Sequence, residues 1–166
     1  VCVGSLPPEA TADINFNTSD GFAITDGDIT LRAKGDINTA DHNTAGGNIL
    51  ISGNAVELGF VTAKTGDVVV EATDDLNVNH KVTALRGSVA MNTEGELAID
   101  TTVSAYRDID LAGASVTNGP AILTTEVGDI RITATDGSIN FTDNDSEITA
   151  GSGRYLMTAT EDINVT

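Results

Sequence analysis

The run Asp143-Asn144-Asp145-Ser146-Glu147 is the place where side chains have the type and spacing to hold a cation. Its alternating carboxylates, Asp143, Asp145 and Glu147, are hard oxygen ligands, and calcium is the ion that such ligands suit. The run departs from the EF-hand loop at two places that matter. Counting from Asp143, the sixth position is Ile148 instead of the glycine of the sharp turn, and the twelfth is Arg154 instead of the bidentate glutamate. The competing reading is a solvated acidic turn, in which Asp and Asn side chains bond nearby backbone N–H groups. That second reading is the expectation.

Other chemistry has less to stand on. Cleaving a polysaccharide takes a cleft with paired carboxylates, often with Arg or Lys to stabilise charge. Asp143 and Asp145 have only Arg154 as a basic neighbour in sequence, and no enzyme is expected. His42 and His80 fall in different segments, and His42 takes a place where an inward residue belongs, so it reads as a packing irregularity. The single cysteine, Cys2, cannot form an internal disulfide. The sequence holds no phosphate loop, Cys–His pair or Ser-His-Asp order.

The elements that carry these residues repeat. Seven segments align, beginning at Gly27, Gly47, Gly66, Gly87, Arg107, Gly128 and Gly153. Each opens like Gly27-Asp28-Ile29-Thr30-Leu31, with two apolar residues one apart. Two positions later comes a small residue, such as Ala33, Gly53, Ala72 or Ala134. A short polar turn then leads to a second alternating pair, such as Leu76/Val78, Leu97/Ile99, Ile139/Phe141 or Ile163/Val165. A third apolar element follows, as in Phe22/Ile24, Val61/Ala63, Val82/Ala84, Val103/Ala105 and Ile148/Ala150. Alternation with period two marks a strand with one buried face. Each copy thus holds three short strands, and no window keeps a helical apolar period.

A unit of about 20 residues cannot bury its apolar face alone, and stacking such units solves this. The predicted fold is all-β: a right-handed parallel β-helix, or solenoid, with three short strands in each rung. Equivalent side chains then stack about 4.8 Å apart, and seven to eight rungs make a rod of roughly 35 Å. Glycine at the start of a copy fits an unusual backbone angle or a close approach. Arg107 breaks that series, so a left-handed backbone there is not strictly required.

Stacking also aligns carboxylates. The second position of each copy reads Asp28, Asn48, Asp67, Ser88, Asp108, Asp129, Arg154, and Asp108 and Asp129 are undiluted neighbours. Like charges at that spacing repel. Turn bonding is the expected role of these residues, and calcium bridging between rungs the alternative. The whole chain carries a net charge of −17, which opposes nucleic acid and anionic membranes. Its eight basic residues are scattered along the sequence and form no patch there. No apolar run is long enough to span a membrane.

The pattern Gly-Asp-Ile-x-Leu-x-Ala, followed by Asp-Ile, resembles the repeats of filamentous haemagglutinin-like adhesins exported by two-partner secretion. The closest lines are residues Gly27 to Ile37 and Gly128 to Ala134. The resemblance covers nearly all of residues 13–166. It implies a shaft exported to the bacterial cell surface, whose parent protein attaches to a protein or glycan of a host or neighbouring cell. The family's secretion domain carries Asn-Pro motifs, and none of Pro7, Pro8 and Pro120 follows an Asn, so the expected role is shaft. Two other roles remain: a passive spacer that projects another domain, and a carbohydrate-active enzyme.

Residues 1–12 break the repeat and are expected to be irregular or a partial cap. The last copy stops after Ile163 and Val165 with no residues left to cover the core. A fragment of a longer shaft, able to associate end to end, is the expectation.

Overall fold

The computed structural model describes residues 14–15, 23–24, 26–39 and 43–166. Residues 1–12, Cys2 included, and His42 lie outside them. Among the described residues every regular element is a β-strand, and the strands form three parallel sheets. The chain visits the sheets in strict rotation, making a solenoid of about six turns with about 21 residues in each. The first sheet holds seven strands, from Ile29–Arg32 to Tyr155–Ala159. The second holds eight, from Ile14–Asn15 to Ile163–Val165. The third holds seven, from Ala23–Ile24 to Glu147–Ala150. This is the parallel β-helix that the repeat predicts.

The registers stack like on like. Leu31, Ile51, Val70, Met91, Leu111 and Ile132 form one inward column on the first sheet. Ala45, Ala63, Ala84 and Ala105 form a column on the third. These residues are buried, so a slip of one residue in any strand would turn its apolar set to solvent. Burying one such Leu, Ile or Val fully is worth about 1.5–3 kcal/mol.

The third sheet also contains two strands that the sequence hides. Asn43–Ala45 points Asn43 inward, and Ile122–Thr125 points Thr125 inward. Both polar groups find partners inside. The Asn43 amide donates to the carbonyls of Thr39 and Phe60, and the Thr125 hydroxyl donates to the Gly128 carbonyl.

The small residue after each first strand marks a narrow interior. A Cβ on Gly53 would stand 2.9 Å from the Ile37 side chain. The glycine that opens a copy is there for closeness too. A Cβ on Gly87 would lie 2.3 Å from the Gly66 carbonyl oxygen, and one on Gly153 would lie 2.0 Å from that of Gly128. Neither glycine has a left-handed backbone, so contact between rungs selects the residue. Arg107 stands at the one copy where a side chain is present, and its N–H still reaches the Gly87 carbonyl at 3.0 Å.

Candidate functional site

The carboxylates at the second position of each copy are acceptors that join rungs. Asp28 Oδ1 accepts the Asn48 N–H at 2.6 Å, and Asn48 Oδ1 accepts the Asp67 N–H at 2.9 Å. Asp67 accepts from Ser88 at 2.8 Å, Asp108 from Asp129 at 2.8 Å, and Asp129 from Arg154 at 2.9 Å. The series skips one step, from Ser88 to Asp108, where the side chain is a short serine. The other two turns repeat the device: Asp36 accepts from Ala55, Asp75 from Glu96, and Asp100 from Gly119. The bonded N–H belongs to the next copy, about 20 residues on, and not to the residue's own turn as sequence reasoning expects.

These bonds explain how stacked carboxylates are tolerated. The Ala55 N–H, and after it the Asn54 side-chain amide, holds the Asp36 carboxyl below the usual carboxylate range. Asp129 is lowered too, first by the Arg154 N–H, with Arg154 and Arg131 adding their positive charge. Arg131 spans two carboxylates, 3.0 Å from Asp110 and 2.9 Å from Asp129. It relieves the undiluted Asp108/Asp129 pair.

The structure places Asp143 and Asp145 on the turn before the Glu147–Ala150 strand and Glu147 at its first position, without gathering the three into one coordination group. Asp143 Oδ1 accepts the Asp145 N–H at 2.9 Å, and the Asp143 carbonyl accepts the Ser146 N–H at 3.1 Å. Glu147 accepts the Thr149 hydroxyl at 2.7 Å. Ser146 ties the turn to the rung before it, accepting from the Asn118 amide and donating to the Gly119 carbonyl. Among the described residues no three His, Cys, Asp or Glu side chains converge as a metal site would need. Tyr155 stands in register with Ile130 on the inward side of the last first-sheet strand, with no rung over it.

The feature that sequence reasoning missed is the outer face of the third sheet. After Ala23 in the first described strand, its central column is hydroxyl-bearing: Thr44, Thr62, Thr83, Ser104, Thr124 and Thr149. Flanking it are Phe60 (36% exposed), Leu85 (56%), Tyr106 (39%) and Ile122 (38%), with Val127 (48%) on the adjoining turn, and in the later copies the exposed carboxylates Glu126 and Glu147 continue the same columns. Every other exposed large apolar residue among those described, such as Tyr155 and Val165, lies in the last rung. Phe60 and His80 stack across two rungs, with ring centroids 4.6 Å apart.

The same face gathers positive charge. Lys64, Lys81, Arg86 and Arg107 are exposed on it or on its adjoining turns, and among the described residues none forms an ion pair. Segments 59–66, 79–88 and 101–107 contain no carboxylate, in a chain with 25. The basic residues that look scattered along the sequence therefore include a patch, which corrects the sequence reading. Chain spacing hides it, because its members come from three copies about 21 residues apart.

No family model, curated protein or solved structure matches the chain.

Proposed function

We propose that this chain is part of the β-helical shaft of a large extracellular bacterial adhesin, and that it takes a direct part in attachment to a host or neighbouring cell. The observation that carries this reading is the third-sheet face: a flat strip of hydroxyls, exposed aromatic and aliphatic groups and cations on an otherwise acidic rod. Exposed apolar residues gathered on one face mark contact surfaces. The resemblance of the repeat to filamentous haemagglutinin-like shafts supports the same setting. Catalysis finds less support, since Asp143 and Asp145 sit on a turn closed by its own hydrogen bonds.

A passive spacer is the second reading, favoured by the near-constant rung length. Binding of the labelled protein to host cells, to bacterial cells and to a glycan array separates the two. Saturable binding that Tyr106→Ala and Leu85→Ser weaken supports attachment through this face. Absence of binding to all three surfaces makes the segment a spacer.

A further inference from the structure

The third-sheet face has a counterpart on the same molecule. The turns between first and second strands form the one edge of the solenoid that the third sheet does not share. In two adjacent copies that edge carries Asp74, Asp75, Glu94 and Glu96, with Asp136 two copies further on, all exposed; the 113–115 turn between them is uncharged, and Lys34 lies on the same edge two copies before the first of them, at the described start. Asp74 and Asp75 follow Lys64 in the chain, and Glu94 and Glu96 fall between Arg86 and Arg107. The acidic edge and the cationic face therefore occupy the same turns of the solenoid.

We propose that the third-sheet face docks on the acidic edge of a second copy of this chain, side by side. The inference rests on the reading of the chain as an attachment shaft, and it names the partner. Two arguments favour a second copy. The first is complementarity: the face offers Lys64, Lys81, Arg86 and Arg107 with exposed apolar groups between them, and the edge offers carboxylates. The second is period. Successive copies are spaced by about 4.8 Å on both surfaces, so two chains lying along one another can set the cations of three successive copies against the carboxylates at 74–75 and 94–96. Net charge of −17 drives copies apart at a distance, but at physiological salt that repulsion is screened beyond about 8 Å. The contact joins unlike surfaces and does not close on itself, so it extends into lateral arrays.

The test uses beads coated with the chain at physiological salt, with clustering as the readout. The face variant carries Lys64→Glu, Lys81→Glu and Arg86→Glu. The edge variant carries Asp74→Lys, Glu94→Lys and Asp136→Lys. None of these six side chains makes a hydrogen bond or ion pair with a described residue, and circular dichroism checks that each variant folds. Each variant alone should cluster at least tenfold less than the original, including the edge variant, whose overall negative charge is smaller. A chain carrying all six changes keeps the net charge of −17 and should cluster within about threefold of the original.

Clustering by the face variant at the original level would overturn the proposal, as would failure of the six-fold variant to recover. Loss on Ile163→Asp with no loss in the face variant would mean end-to-end stacking instead. Binding to cells or to an anionic glycan that the face variant loses and the edge variant keeps, without clustering, would overturn the homotypic contact and leave the attachment reading standing. No clustering and no binding to any surface would remove both.

Discussion

Replacing Gly87 with alanine should destabilise the solenoid by about 2–4 kcal/mol. The new Cβ would sit 2.3 Å from the Gly66 oxygen and 2.6 Å from its carbonyl carbon, where ordinary contact begins at 3.4 Å. Those neighbours are backbone of the rung below, so the corner must open by about 1 Å. Opening it strains two bonds across the same step, Ser88 N–H to Asp67 Oδ1 at 2.8 Å and Val68 N–H to the Ser88 carbonyl at 2.9 Å. Overpacking of this kind costs about 1–3 kcal/mol, and each weakened hydrogen bond up to about 0.5–1.5 kcal/mol. Gly137→Ala is the control. There the nearest atoms to a Cβ are at 3.4 Å and the backbone is not left-handed. Alanine at that position should be neutral or stabilise by up to about 1 kcal/mol, through lost freedom of the unfolded chain. Urea unfolding followed by far-ultraviolet circular dichroism compares the two. Equal midpoints would refute the claim that rung contact, and not chance, selects glycine at the head of the copy.

Leu97→Ala, at a fully buried position between Leu76 and Val116, should cost about 2–5 kcal/mol in the same assay. Asp67→Asn should leave hydrogen-exchange protection of the Ser88 amide intact, because Asn48 already serves the same role with a neutral side chain, whereas Asp67→Ala should remove it. Asp36 and Asp129 have lowered folded pKa values, so their stabilisation is complete above the ordinary aspartate range, about pH 4, and is lost as pH falls through the folded values. Acid unfolding of Asp129→Asn should show a shallower loss below pH 4, and an unchanged profile would reject the assignment. Millimolar calcium should leave the melting temperature within about 1 °C of that in chelator, since Asp143, Asp145 and Glu147 do not share a centre. A clear rise would reinstate the calcium reading of that turn.

The rung architecture is legible because apolar alternation recurs in phase, and one weak copy is rescued by its neighbours. Legibility fails where an inward position is polar. Asn43 and Thr125 occupy inward places in the third-sheet columns, so the Asn43–Ala45 and Ile122–Thr125 strands carry too little apolar signal to stand out. It fails again where meaning lies between copies. Asp28 and Asp67 have the look of turn residues, but their partners are one rung away. The third-sheet face is the extreme case. Lys64, Leu85 and Tyr106 stack in the fold while standing 21 residues apart in sequence, and only the register makes them neighbours.

The rotation of the chain through three sheets has a consequence under tension. A rung touches only the rungs before and after it, so a pull on the chain ends, though transmitted through the whole stack, peels the outermost turn first, because that turn is held by one neighbour and an interior turn by two. Each turn that peels away frees about 21 residues, roughly 70 Å of extended chain, while the rest keeps its hydrogen bonds. A solenoid built this way lengthens in discrete increments instead of snapping. The work of a sudden pull is taken up by giving up turns one at a time, and each turn that held is a template on which the next can rewind.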